Sequence, residues 1–190
     1  MSEQNDPVRE FVLAAHGNLD KVKSMLAENP ALRDVAFDWG PGGTETALEA
    51  AAHVGNRAIA LYLLDQGADL NICAAAMLGR KDDVARFIDA DPAQANARGA
   101  HGITLMFHAV YSGDTGLTAM LKARGCTQGY NDALHAAINT NDVDMLAWLL
   151  ENGVDDVNVT NFKGETPLKR AQEVQQSAII ALLERHGAQA

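Results

Sequence analysis

One short phrase recurs six times along the chain, and this repetition restricts the possible folds more than any other feature of the sequence. Each copy has small apolar residues, then a Gly or a polar residue in its place, then an apolar stretch. Repetition at a period of 20–50 residues is typical of solenoids, propellers and arrays. The six turn residues, which advance by 38, 24, 34, 28 and 34 positions, are Gly17, Gly55, Gly79, Gly113, Asn141 and Gln175.

Each copy has the pattern of a helix, a tight turn, a second helix and a loop. Gly and Asn tolerate the left-handed backbone that such a turn needs. The second helices carry apolar residues at a spacing of three to four. Two of them are predicted to end at Asn29-Pro30 and Asp91-Pro92, because Pro cannot continue a helix. The last copy opens with Thr166 placed as an N-cap and Pro167 as the first helical residue.

Several phrases of the chain resemble a known repeat. They are Thr46-Ala47-Leu48, Ala133-Leu134-His135-Ala136-Ala137, Thr166-Pro167-Leu168 and the endings Gln66-Gly67-Ala68-Asp69-Leu70-Asn71 and His186-Gly187-Ala188. On these residues the chain resembles the ankyrin repeat family, in a small protein of the bacterial type. The resemblance implies an all-α ankyrin-repeat solenoid of about six helix-turn-helix repeats, with copies three and five lacking the inter-repeat finger.

The whole chain is expected to form a single ankyrin-repeat domain over residues 1–190. The predicted repeats span approximately residues 8–37, 38–71, 72–98, 99–128, 129–159 and 160–190. Gln175 stands where the family has Gly, and this departure suits a terminal repeat that turns a polar face to water.

Composition and charge limit the partners. The formal charge of −10 argues against an electrostatic grip on nucleic acid or on an acidic membrane, so neither is expected. A basic or neutral protein is the easier partner, although the charge could serve solubility alone. The N-terminal residues show no export signal, and two isolated cysteines fit a reducing cytoplasm.

The sequence has no motif that assigns a chemistry. It contains no paired CxxC, HExxH, GxGxxG or P-loop pattern, so no catalytic residue, no cofactor and no metal site is predicted, and an enzyme is the less favoured interpretation. One exception is conceivable: a histidine–carboxylate cluster that could bind a metal or transfer protons. Its candidate members are His53, His101, His108, Asp38, Glu45 and Glu49. His135 is expected to have a structural role, and His16 and His186 to be solvated.

The resemblance implies binding through the fingers and the inner face of the first helices. In this register the predicted partner-binding residues are Trp39, His53, Val54, Met77, Leu78, His101, Phe107 and Tyr111. Aromatic side chains and Met are enriched at interfaces, which favours an apolar groove across repeats two to four. Met77 and Leu78 have an alternative, because neighbouring repeats without a finger between them would close over this pair and make it core.

Three functions remain open at this stage. The first is a protein-binding scaffold or adaptor that uses the concave face and the fingers. The alternative is a small-molecule or enzymatic pocket built on repeats two to four, which requires an enclosed cavity around His53, His108 and Tyr111. A third is an acidic accessory chain that shields a basic protein, whose interaction would weaken with salt.

Overall fold

The computed structural model describes residues 6–190 as six helix-turn-helix units, which confirms the all-α repeat solenoid. The prediction that the N-terminus has no export signal concerns residues that include 1–5, which lie outside that range. The pairs are α1 (Pro7–Ala15) with α2 (Leu19–Glu28), α3 (Ala47–His53) with α4 (Arg57–Asp65), α5 (Ile72–Met77) with α6 (Lys81–Ala90), α7 (Leu105–Val110) with α8 (Thr115–Ala123), α9 (Tyr130–Thr140) with α10 (Val143–Asn152), and α11 (Pro167–Glu173) with α12 (Ser177–Arg185).

The helices form two layers, because the first helix of each unit packs on the first helix of the next and the second helices stack behind them. The inner layer is rich in buried Ala, which lets its helices approach closely. None of the helices within residues 6–190 combines the length and the apolar character needed to cross a membrane.

Local sequence signals set the helix ends as expected. The turn residues from Gly55 to Gln175 have a positive φ, including 54° at Asn141 and 58° at Gln175, whereas Gly17 does not. The helix α2 ends before Asn29 and Pro30, and α11 begins with the Thr166 side chain accepting the N–H of Lys169. These ends depend on backbone groups within a few residues, which explains why sequence predicts them.

The loops between repeats differ in length, and this difference shapes the inner face. A two-stranded antiparallel hairpin, β1 (Phe37–Asp38) and β2 (Thr44–Glu45), forms the finger before the second repeat. Only short turns precede α5 and α9, which agrees with the missing fingers of repeats three and five. Because no finger stands before repeat three, the turn 100–102 of the fourth repeat reaches the hairpin finger and contacts β2.

The residues at the end of α5, between repeats two and four, are buried. The side chains of Met77 and Leu78 are 0% and 6% exposed and belong to the core formed by the first three repeats. Arg57 donates from its guanidinium to both of their carbonyl oxygens, at 3.1 Å each. The prediction that this pair lines a partner-binding groove is therefore corrected: the side chains are core, as the alternative anticipated.

Candidate functional site at the hairpin finger

A buried carboxylate lies at the base of the hairpin finger. Glu45 is the last residue of β2, pairs with Phe37 across the hairpin, and is 0% exposed. Its position next to the N-cap Thr46 fixes it at the entrance of α3. A buried charge requires partners that compensate for lost hydration, so the groups around this carboxylate define the site.

One carboxylate oxygen is held by the indole of Trp39. The Nε1–H of Trp39 donates to Oε2 of Glu45 at 2.9 Å. The indole is half-buried, packs edge-on against Phe37 with ring centroids 4.7 Å apart, and lies 5.8 Å from the Arg9 guanidinium carbon. The hairpin thus orients Glu45 so that its other oxygen, Oε1, faces the inner helices.

Three imidazoles from different parts of the chain surround Oε1 of Glu45. The Nδ1 atom of His53 lies 3.0 Å away, Nε2 of His101 lies 3.3 Å away and Nε2 of His16 lies 3.7 Å away. The His16 and His53 ring centroids are 5.0 Å apart, and those of His53 and His101 are 5.5 Å apart. We call Glu45 with these three histidines the His3Glu cluster.

Backbone carbonyls determine the tautomer of two rings in the His3Glu cluster. His16 ends α1, and its Nδ1 lies 3.0 Å from the carbonyl oxygen of Val12. The Nδ1 of His101 lies 3.0 Å from the carbonyl oxygen of Gly42 in the hairpin finger. Because a carbonyl only accepts, both Nδ1 atoms carry the proton, and in the neutral rings both Nε2 atoms face Glu45 with a lone pair.

The three histidines stabilise the ionised form of Glu45. Burial raises the pKa of a carboxyl group, but the interactions with His53, and then with His16 and His101, outweigh burial and leave the pKa of Glu45 below its usual value. Within residues 6–190, however, neither Oε1 of Glu45 nor Nδ1 of His53 has a hydrogen-bond partner of acceptable geometry. The two atoms nevertheless lie only 3.0 Å apart, so His53 is the imidazole in closest contact with the carboxylate.

The structure brings together only some members of the predicted histidine–carboxylate cluster. Glu45, His53 and His101 come together. Asp38 instead accepts the N–H of Gly40, and Glu49 closes the capping box of α3 with Thr46. The remaining candidate, His108, is 1% exposed and bonds through Nδ1 to the carbonyl of Thr104 at 2.8 Å.

The prediction that His16 is solvated holds only in part, because its side chain is 31% exposed and faces Glu45. His135 has the structural bond expected of it, through Nε2 to the carbonyl oxygen of Val159 at 3.0 Å. Sequence reasoning also passed over Phe162, whose side chain is 94% exposed in the loop before the last repeat. The sequence offered one signal for this exposed side chain, namely an aromatic residue in a loop between repeats.

The remaining predicted binding residues form a strip beside the cluster. Val54 follows His53 and is 37% exposed. Tyr111 of the fourth repeat is half-buried and its ring lies over Gly55, while Phe107 packs edge-on against it with centroids 5.6 Å apart. We call Val54, Phe107 and Tyr111, together with Trp39, His53 and His101, the aromatic strip.

Two clefts flank the turn of the fourth repeat. One, of about 540 Å³, lies between the hairpin finger and residues 98–102; the other, of about 530 Å³, lies between Asn71 and Arg98. Both are open, and neither is lined by His53, His108 or Tyr111. These clefts therefore do not provide the enclosed cavity that the enzymatic alternative requires.

Comparisons with known proteins agree with the geometry of the repeats. A family model described as ankyrin repeats in three copies matches residues 106–190, and a model of the single ankyrin repeat matches residues 45–75. A search of curated proteins finds no match to the chain. The two family matches cover the second repeat and the C-terminal half of the stack.

Proposed function

Because the chain belongs to the ankyrin repeat family, whose members are generally protein-interaction modules, we propose that it is a scaffold or adaptor that binds another protein through the aromatic strip. The observation that carries this proposal is the arrangement of that strip. The exposed Val54 stands between His53, whose ring lies 5.5 Å from that of His101, and Gly55, over which Tyr111 lies.

The strip has the composition of a protein-binding surface. Trp and Tyr provide large rigid contact areas with one polar end, and they are frequent among residues that dominate binding energy. The ring of Tyr111 packs on Gly55, and its hydroxyl oxygen accepts a hydrogen bond from Asn139 at 3.2 Å. A side chain already fixed in this way loses little conformational entropy when a partner binds.

The net charge of −10 favours a basic partner. Complementary charge accelerates association and suppresses wrong partners more than it adds affinity. We therefore expect the apolar strip to supply affinity and the acidic surface to orient the partner. Binding that is identical at low and high salt would argue for a neutral partner instead.

The experiment is affinity capture from native extract with the full chain as bait, followed by mass spectrometry. The test variant is Val54→Asp, which places a charge in the middle of the strip at a position that is already exposed. The matched control is Leu61→Asp, because Leu61 is an equally exposed apolar residue, at 41%, on the second helix of the same repeat.

We expect a protein captured by the wild type and by Leu61→Asp to be lost with Val54→Asp. The purified protein should then bind the wild-type chain at least tenfold more tightly than the Val54→Asp variant. An unchanged set of captured proteins across the three baits would reject the aromatic strip as the binding surface. Loss of the captured protein with Leu61→Asp alone would indicate that the interface lies on the outer layer of helices.

A further inference from the structure

We propose that the His3Glu cluster is a binding site for a divalent first-row transition metal ion, with His16, Glu45 and His53 as ligands and His101 as the fourth. One ligand atom from each of the first three residues lies within 4.8 Å of the others. The proposal does not rest on the partner-binding proposal, although His53 and His101 belong to both sites, because metal uptake by the purified chain needs no partner.

The orientation of the donor atoms supports a shared cation. Oε1 of Glu45 is buried and has three imidazole nitrogens within 3.7 Å, yet within the part of the chain that the structure describes none of them forms a hydrogen bond with it. When the rings are neutral, the lone pairs of His16 and His101 face the Glu45 carboxylate, and a cation bound among these atoms would offset their mutual repulsion. Ring nitrogens that surround one buried oxygen without forming a hydrogen bond with it are available as ligands of a common ion.

The distances match a coordination sphere. Zinc binds imidazole nitrogen and carboxylate oxygen at about 2.0–2.2 Å, so neighbouring ligand atoms in a tetrahedral site are separated by about 3.3 Å. The three separations from Glu45 Oε1 are 3.0, 3.3 and 3.7 Å. Side-chain rotations would bring His16, Glu45 and His53 around one ion, and His101, whose Nε2 lies 3.3 Å from Glu45 Oε1, would complete the site from the fourth repeat.

The surroundings resemble those of a functional metal site. The outer nitrogens of His16 and His101 bond to backbone carbonyls, the arrangement that commonly fixes the tautomer and orientation of metal-binding histidines. Trp39 holds the second oxygen of Glu45, which directs Oε1 inward as a single ligand atom. A cation here would also join repeats one, two and four through the hairpin finger.

The donor set selects the class of metal. Imidazole with one carboxylate suits Zn²⁺, Co²⁺ or Ni²⁺, whereas Mg²⁺ and Ca²⁺ prefer oxygen alone. The cysteines do not compete, because both are buried and burial raises the pKa of the Cys73 thiol to about 12. The opposing possibility is that protons on the imidazoles neutralise Glu45 and no metal binds.

The test uses the purified full chain without an affinity tag, stripped with chelator and titrated with Co²⁺ or Zn²⁺. We expect one ion per chain, with the visible absorption of tetrahedral Co²⁺. Saturation at a hundred times Kd should raise Tm by about 5–10 °C. Mg²⁺ at the same concentration should leave Tm unchanged.

Glu45→Gln and His16→Gln should abolish the Co²⁺ spectrum, and His101→Gln should weaken binding about tenfold to a hundredfold. The matched control is His186→Gln: His186 also ends a helix and bonds through Nδ1 to a carbonyl four residues earlier, but it lies at the far end of the stack. Circular dichroism in chelator checks that each variant is folded.

Retention of the spectrum in His186→Gln and its loss in folded Glu45→Gln would support the site. Absence of metal uptake by the wild type would overturn it and leave protonated imidazoles as the partners of Glu45. Uptake that persists unchanged in Glu45→Gln, or disappears in His186→Gln, would place the metal elsewhere and equally overturn it.

Discussion

The ring of Tyr111 in the fourth repeat lies directly over Gly55 in the turn of the second. A Cβ atom added to Gly55 would stand 2.4 Å from Cδ1 and 2.9 Å from Cγ of that ring, far inside van der Waals contact. Gly55 also has a φ of 72°, which L side chains rarely adopt. Gly55 is therefore required both for the left-handed turn of its own repeat and for the packing of Tyr111 from the fourth repeat.

Gly55→Ala should destabilise the protein by about 2–4 kcal/mol, since it combines left-handed strain with overpacking. Denaturant unfolding measures the change. Gly113→Ala is the matched control, because Gly113 has a φ of 69° but its nearest neighbour lies 3.7 Å from the added Cβ. We expect about 1–2 kcal/mol there. Equal losses in the two variants would contradict the contact with Tyr111.

Tyr111→Ala should partly rescue Gly55→Ala. In a double-mutant cycle the two substitutions should show a coupling energy of about 1–2 kcal/mol, because Tyr111→Ala removes the ring against which the added Cβ of Gly55→Ala would clash. Additive effects would mean that the ring moves aside at no cost. The cycle thus measures how strongly repeat four is held against repeat two.

Gln175→Gly should stabilise the chain by about 1 kcal/mol. Gln175 is exposed, has a φ of 58° and occupies the turn position that is Gly in four of the other repeats. The gain is smaller than the full left-handed strain, because Gly increases the entropy of the unfolded chain. Thermal unfolding should show a Tm about 2–4 °C higher.

The comparison for Gln175→Gly is Asn141→Gly, at the equivalent turn with a φ of 54°. Asn tolerates the left-handed conformation better than Gln, so Asn141→Gly should change Tm by less. A larger gain at Asn141 than at Gln175 would show that strain at the turn does not determine the stability of these repeats.

Met77→Ala should cost about 2–5 kcal/mol, the range for removing a fully buried side chain from a core. Tm should fall by at least about 5 °C. Val54→Ala, on the aromatic strip, should change stability by less than about 1 kcal/mol because Val54 is 37% exposed. A neutral Met77→Ala would contradict the burial of this side chain in the core of the first three repeats.

Local interactions explain what the sequence could predict. The turn at Asn141 and the cap at Thr166 depend on neighbours within four residues, and so does the stop before Pro30. His16 shows where this reasoning fails. His16 and His186 both precede a Gly and end their helices with the same bond to a carbonyl. Only His16 meets a carboxylate, and Glu45 is brought there by a finger from the next repeat.

The contact between repeats two and four depends on a long-range feature of the fold. Repeat three stands between them in the chain, but it has no finger and its inner helix is only six residues long. His101 then reaches the carbonyl of Gly42. The missing finger was visible in the sequence, but its consequence depended on the path of a loop some thirty residues later.

His108 should make the protein acid-sensitive in a defined window. Burial lowers its pKa to about 4, although the bond to the Thr104 carbonyl opposes that shift, and His53 nearby adds to it. Between its ordinary value of 6.5 and about 4, the unfolded chain binds a proton that the folded chain does not. Stability from this residue is therefore complete above pH 6.5 and is lost as pH falls towards 4, by about 3 kcal/mol in total.

Denaturant unfolding of the wild type and of His108→Leu at several pH values between 7 and 4 separates this contribution. Burial also lowers the pKa of His135, so both proteins should lose some stability in acid. The difference between the two curves belongs to His108, and we expect the wild type to lose about 3 kcal/mol more than the variant. The carbonyl of Thr104 still accepts the backbone N–H of residue 108, so the Leu variant leaves that group bonded. Parallel curves would show that His108 is protonated in the folded state without cost.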